Sequence, residues 1–228
     1  MKTRIYPSIT TTTGTSWREK IKEASLLGLE EVCLFLTGLE EKERGELYER
    51  LKETKIKKIP LVHLRTDMKP EELDYLAKNY QVGAFNIHPL KEFPLKYEYG
   101  KYRQQIYIEN SYFRWHENEI KKFAGVCIDF SHLENDRLLN DERYQTDFQI
   151  IKKYPAGCGH IASIKKTTHY DEDTEKQRYD RHQIQELSDL DYLKNFPARY
   201  FPPIAALELE NSISRQMEAK AYLEKILG

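Results

Sequence analysis

Six short apolar runs in this sequence each end on a side chain that can bind a metal ion. They are Ile59-Pro-Leu-Val-His63, Ala84-Phe-Asn-Ile-His88, Ile106-Tyr-Ile-Glu109, Gly125-Val-Cys-Ile-Asp129, Gly157-Cys-Gly-His160 and Ala205-Ala-Leu-Glu208. Runs of this length, bounded by helical or turn sequence, read as parallel strands buried on both faces. In a parallel barrel the C-terminal strand ends open onto one face, and chemistry is built there. A ligand at that place on six strands predicts six ligands around one mouth. A metal site with more than one ion makes physical sense of that convergence.

Composition sets the limits. The chain has 228 residues, enough for one barrel-sized domain, and 32% of them are charged. A core is available, because 39% of residues are hydrophobic, with 16 Tyr and 9 Phe. No apolar run approaches the roughly 20 residues that span a bilayer. The stretch Met1-Lys-Thr-Arg-Ile-Tyr-Pro lacks the apolar segment of a signal peptide. Three scattered cysteines do not form a disulfide framework. These features read as a reduced, cytoplasmic protein with no membrane partner. A net charge of −1 supplies no global field toward nucleic acid. Bound divalent cations would add positive charge that this count omits.

Strand and helix signals alternate from end to end. Arg4 to Ile9 reads as a first strand. Ser16 caps a helix carrying Trp17, Ile21, Ala24 and Leu27 on one face, with Gly28 as its stop. Strand two is Glu31 to Leu36, and a charged helix follows from Glu40 to Lys52. Strand three ends at His63, a helix starts at Pro70, and strand four ends at His88. The segment Pro89 to Gln104 shows no helical period and reads as a long loop or degenerate helix. Strand five ends at Glu109, and a short helix spans Glu117 to Phe123. Strand six ends at Asp129, a helix covers Asp141 to Lys153, and strand seven is Cys158 to Ala162. Lys165 to Glu186 is polar and irregular. Ser188 caps a helix to Asn195, strand eight is Ile204 to Leu209, and a last helix runs from Ser212 to Leu227. Eight strands with helices between them predict a single (β/α)8 barrel domain over residues 1–228, with the helix after strand four degenerate.

Neutral imidazole and carboxylate oxygens are what zinc or manganese takes. Any one strand-end histidine is ordinarily a hydrogen-bonded core residue. His63, His88, His132 and His160 together, with Glu109, Asp129 and Glu208, read as ligands, because so many ionisable groups at a buried mouth are costly without a cation. In Asp129-Phe-Ser-His132 the chain turns after the strand, and His132 faces back toward the same cavity. The competing reading is a helix-capping Asp followed by a surface His. Asp180 and His182, two apart in an extended loop, point to one side and can chelate an ion. Glu109 and Glu208 can bridge metals or act as general bases, and Glu210 competes with Glu208 for the inward position. Arg65, Lys165 and Lys166 either contact an anionic substrate or face solvent. Lys91, Lys96, Lys101 and Arg103, interleaved with Tyr97, Tyr99 and Tyr102, either clamp a nucleic acid or sugar or cover the barrel flank. There is no Gly-rich phosphate loop, nucleophile elbow or CxxC pair.

These residues carry a family likeness. The chain resembles the xylose isomerase-like TIM barrels, and among them most the endonuclease IV family (AP endonuclease family 2). Gly125-Val-Cys-Ile-Asp-Phe-Ser-His132 is close to the signature after strand six. Arg178-Tyr-Asp-Arg-His182 is similar to the strand-seven loop signature. Leu207-Glu-Leu-Glu-Asn211 resembles the strand-eight ending and selects Glu208 over Glu210. Ile108-Glu-Asn-Ser111 and Ile87-His-Pro89 match strands five and four.

The resemblance implies a metal centre of two or three zinc ions, with manganese as the alternative, held by His63, His88, Glu109, Asp129, His132, His160, Asp180, His182 and Glu208. It implies phosphodiester hydrolysis by a metal-bridged hydroxide, with Glu109 and Glu208 as catalytic carboxylates and abasic-site DNA as a candidate substrate. Sugar isomerase and epimerase relatives share the ligands of strands five to eight, so Glu109 and Glu208 as an acid/base pair on a sugar is the alternative. The chain departs from the family pattern at Ile5-Tyr-Pro-Ser8 and at Gln183-Ile-Gln-Glu-Leu187. The family contacts DNA there, so the likeness carries the metal site further than the substrate.

Overall fold

A computed structural model describes residues 2–12, 14–172 and 175–228. Its framework is a nearly closed parallel sheet of nine strands. In chain order they are β1 (Arg4–Tyr6), β2 (Ser8–Thr10), β3 (Cys33–Phe35), β4 (Leu61–His63), β5 (Ala84–Ile87), β6 (Ile106–Glu109), β7 (Gly125–Asp129), β8 (Ala156–Ile161) and, last, Ile204–Leu207. A separate antiparallel pair, β9 (Ser163–Asp171) and β10 (Lys176–Arg181), makes that last strand β11. The sheet order is β1-β11-β8-β7-β6-β5-β4-β3-β2, so its two edges, β1 and β2, are neighbours in the chain.

The expected first strand is thus split, and Pro7 is the physical reason. Proline has no N–H to give to a ladder and is tolerated only at edges and breaks. Arg4 to Tyr6 pair with Ile204 to Ala206, whereas Ser8 to Thr10 pair with Cys33 to Phe35. Past Pro7, side chains join β2 to the end of β11 and the residues after it in place of a ladder. Ser8 Oγ donates to the Leu207 carbonyl, and Thr10 Oγ1 donates to that of Leu209 at 3.0 Å. Gln216 accepts from Ser8 N at 2.7 Å, and its Nε2 donates to Ser8 O at 3.0 Å and Leu209 O at 3.1 Å. Lys20 Nζ reaches Thr10 Oγ1 and Leu209 O. Gln216 and Lys20 are fully buried, and they satisfy main-chain groups that would otherwise be costly orphans.

Helices flank this sheet: α1 (Trp17–Leu26), α2 (Glu41–Lys52), α3 (Pro70–Tyr80), α4 (Glu117–Ile120), α5 (Phe130–Leu138), α6 (Glu142–Lys153) and α7 (Ile213–Ile226). Ser16 and Ser212 cap α1 and α7 as side-chain acceptors, and Gly28 takes the left-handed conformation (φ 65°) just after α1. Outward strand residues such as Leu34, Val62, Phe85, Ile108 and Ile128 join the core under the helices. Inward residues Cys33, Leu61, Ala84, Cys127, Cys158 and Ala206 pack with Tyr6 and Phe35 as a separate apolar layer. Two residues further along these strands, except on β3 where Phe35 stands, the same face carries the polar groups of the mouth. Among the described residues, no helix is long and apolar enough to cross a membrane.

One segment agrees with the sequence reading, two differ from it, and helix α5 stands where no helix was expected. After β5 the chain forms only a 3₁₀ helix, Gly100–Gln105, as the degenerate helix requires. Its Tyr102 ring packs on Phe85 at 5.5 Å, and Tyr99 donates to Met68 O at 2.9 Å, so these two tyrosines cover the barrel flank. The polar stretch after Ala162 is not irregular but forms the β9–β10 hairpin. Leu187–Asn195 is a 3₁₀ rather than an α-helix.

Candidate metal centre

Glu109, at the end of β6, lies among three imidazoles. Its Oε2 is 3.0 Å from Nε2 of His63 and 3.4 Å from Nδ1 of His160, and its Oε1 is 3.8 Å from Nε2 of His88. Asn86 Nδ2 donates to Oε2 at 2.7 Å. Nδ1 of His160 also faces Glu208 Oε2 at 3.3 Å and Asp129 Oδ2 at 3.9 Å. Two overlapping groups are close enough to share an ion: His63, Glu109 and His160, and Glu109, Asp129, His160 and Glu208.

The hydrogen-bond pattern tests whether a cation fits. Both ring nitrogens of His160, Oδ2 of Asp129 and Nε2 of His132 are buried without a hydrogen-bond partner. Orphaned buried polar atoms are rare and cost about 1–3 kcal/mol each. Two ligands each about 2.0–2.2 Å from one zinc ion stand about 3.3–3.6 Å apart, close to the separations around His160. The donor set, imidazole and carboxylate without thiolate, suits zinc or manganese. The residues therefore fit a divalent cation.

Neighbouring groups orient the ligands. His63 Nδ1 meets the Leu64 carbonyl at 3.2 Å and His132 Nδ1 meets that of Asn110 at 2.9 Å. A carbonyl only accepts, so each Nδ1 carries the proton and Nε2 is the coordinating nitrogen. Asn110 also brackets the Asp129 main chain, accepting from its N at 2.7 Å and donating to its O at 2.9 Å. Asp129 caps α5 through Oδ1, which accepts from His132 N at 2.8 Å and Ser131 Oγ at 2.6 Å. Its other oxygen faces the centre. The capping reading and the ligand geometry thus hold together, one oxygen each, and His132 is buried rather than on the surface.

The electrostatics follow from burial and proximity. Burial drives Glu109 upward, but His160, His63 and His88 outweigh it and hold the carboxyl well below its ordinary range. Burial disfavours charge on His160, yet Glu109 and Glu208 raise it well above an ordinary imidazole. Burial pushes Asp129 up. Burial also works upward on Glu208, but His182 and His160 reverse it and bring it down to about 2. The surrounding imidazoles thus favour the ionised forms of Glu109 and Glu208, whereas burial works against the charge on Asp129.

His132 Nε2 points toward Asp180 Oδ2 at 3.6 Å, and its ring lies 5.0 Å from that of Tyr112. Asp180 is buried and accepts a two-pronged bond from Arg178, at 2.8 and 2.7 Å. His182, half-buried just beyond β10, acts on Glu208 and makes no ion pair with Asp180 among the described residues. Glu210 turns away and accepts from Thr12 at 3.3 Å, leaving Glu208 at the centre. Arg65 is tied to Asp67 and Glu40, and Lys165 to Asp189, while Lys166 is exposed. A recess of about 400 Å³ beside Tyr112 is lined by Lys91, Arg114, His116, Arg143 and Lys176, with Asp141 as its one acid. Asn86, Asn110, Tyr112 and Arg178 are additions to the sequence-based set. For Asn86 the signal was present: it lies on β5, two residues before His88.

No protein-family model matches this chain, and no curated protein matches it.

Proposed function

We propose that this chain is a metal-dependent phosphoesterase on a single TIM-like (β/α)8 barrel of the xylose isomerase-like kind, resembling endonuclease IV, with abasic-site DNA as its candidate substrate. The observation that carries the reading is Glu109 enclosed by His63, His88 and His160, beside a second ligand pair, His132 and Asp180. A sugar-isomerase centre needs neither His63, His88 nor Asp180. Two or three zinc ions, or manganese, would be held by the inner groups and by His132, Asp180 and His182. Bound there, such ions polarise a phosphate oxygen and acidify water.

The chain's own groups have separable tasks. Oε1 of Glu109, the oxygen that Asn86 leaves free, is positioned to hold a water proton. His63 and His88 flank that oxygen's carboxylate. In the recess beside Tyr112, Arg114 is paired with Glu142 and Arg143 with Asp136 and Asp141, which leaves Lys91 and Lys176 as the cations that would draw an anionic substrate. Three buried free cysteines accord with a reducing compartment, the cytoplasm.

One observation favours a second reading. Glu109 and Glu208 face the same nitrogen of His160 and can act as the acid/base pair of a metal-dependent sugar isomerase or epimerase. Cleavage of an abasic-site duplex, assayed across zinc and manganese concentrations, separates the two. The phosphoesterase reading expects cleavage by wild type and loss of most of it in His182→Ala. An intact duplex together with aldose–ketose or epimer interconversion establishes the isomerase instead.

A further inference from the structure

The arm β9–β10 carries a buried cation that the proposed chemistry does not use. Arg178 is only 2% exposed. Its Nε and Nη2 take the two oxygens of Asp180 in a fork, and its guanidinium lies 4.4 Å from the centre of the Tyr112 ring. Tyr112 in turn packs on His132. Arg178 and Asp180 are two residues apart on β10, and the β9 register shifts between them. Asn135, on the same helix as His132, accepts from the intervening Tyr179 N at 2.8 Å. One chain of contacts therefore fixes Asp180 and His132 relative to each other from both sides.

We propose that Arg178 is a positioning residue for an outer cation held by His132 and Asp180. This rests on the metal reading above. A forked guanidinium occupies one side of the carboxylate and sets its plane. Each carboxylate oxygen keeps further lone-pair capacity. Oδ2 then faces the unpartnered Nε2 of His132 at 3.6 Å, the spacing of two ligands on one ion. Tyr112 shares its ring between Arg178 and His132, so the same guanidinium that orients Asp180 also backs the imidazole. Without the fork, Asp180 has free rotation about its side-chain bonds, and the pair loses its preset geometry.

The test counts zinc per chain by elemental analysis after dialysis at buffered free zinc, in wild type, Asp180→Ala, Arg178→Met and Arg178→Lys. Arg178→Lys keeps charge and length, which guards against misfolding, but cannot form the fork. The positioning role predicts that Asp180→Ala loses one ion. It predicts that both Arg178 variants bind that same ion about 10–100-fold more weakly, with the inner ions and the thermal midpoint of Arg178→Lys retained. Wild-type zinc count and affinity in Arg178→Lys and Arg178→Met, beside a loss in Asp180→Ala, would overturn the inference alone. A gain of an ion in Arg178→Met would overturn it too, since the guanidinium would then be filling the ion's place. A full count in Asp180→Ala removes the outer position, and a wild type that binds no zinc removes the metal reading and this inference together.

Discussion

Nδ1 of His160 lies 3.4 Å from Oε2 of Glu109, and neither ring nitrogen of His160 has a hydrogen-bond partner although the residue is fully buried. A cation between them converts that cost into binding. Ligand that binds only the folded chain stabilises it by about 2.7 kcal/mol at 100 times its Kd. Zinc-loaded protein is therefore expected to melt several degrees above chelator-treated protein, read by calorimetry. Identical midpoints would show that the cluster is satisfied without an ion.

Glu109→Gln separates chemistry from binding. The amide keeps shape and one ligand oxygen but lacks the basicity to hold a proton. Loss of a general base typically costs about 10²–10⁴ in rate. Phosphodiesterase kcat is expected to fall in that range while the zinc count changes by less. Unchanged kcat would remove Glu109 from the chemistry.

The seam beside Pro7 depends on one side chain. Gln216→Leu leaves Ser8 N–H and Ser8 C=O short of partners in a dry interior, while the Leu209 carbonyl keeps Thr10 Oγ1 and Lys20 Nζ. At about 1–3 kcal/mol for each orphaned group, urea denaturation is expected to show a loss of about 3–5 kcal/mol. A loss under about 1 kcal/mol would mean that the edges are held by other contacts.

Asp147, on α6, gives a pH signature away from the metal centre. It is 2% exposed with Oδ1 unpartnered, and burial together with the nearby Asp136 carboxyl pushes it up to about 7. The raised pKa means that the folded state favours the protonated form. Its contribution is full below about pH 4, the unfolded value, and is lost as pH rises through about 7. Asp147→Asn is expected to gain stability over wild type progressively across that window, reaching about 2–4 kcal/mol at pH 8. Parallel stability curves for the two proteins would contradict the assignment.

The strand ends that build the centre were legible because parallel strands are apolar on both faces, so a single ionisable residue at their C-terminal end stands out. His63, Glu109, Asp129 and His160 are of this kind. The hairpin β9–β10 was not legible. Most of its residues are exposed or half-buried, and without a buried face Thr167, Thr168, His169 and Tyr170 show no apolar alternation. Helix α5 escaped for the opposite reason. It buries Ser131, His132, Glu134, Asn135 and Asp136, so its inward face reads as polar. The split of the first strand was written in Pro7, whose missing N–H forces the change of partner. Arg178 stood in the sequence only as the first residue of the Arg178-Tyr-Asp-Arg-His182 run, with no role of its own, and its placement between Tyr112 and Asp180 is what distinguishes it.

The central claim is that these side chains hold more than one divalent ion. It is tested most directly by counting zinc per chain, by elemental mass spectrometry, on protein incubated with zinc and then dialysed into metal-free buffer. The account predicts two or three ions per chain in the wild type and fewer in Asp129→Ala and His132→Ala. A wild type that retains no zinc while circular dichroism shows an intact fold would contradict it.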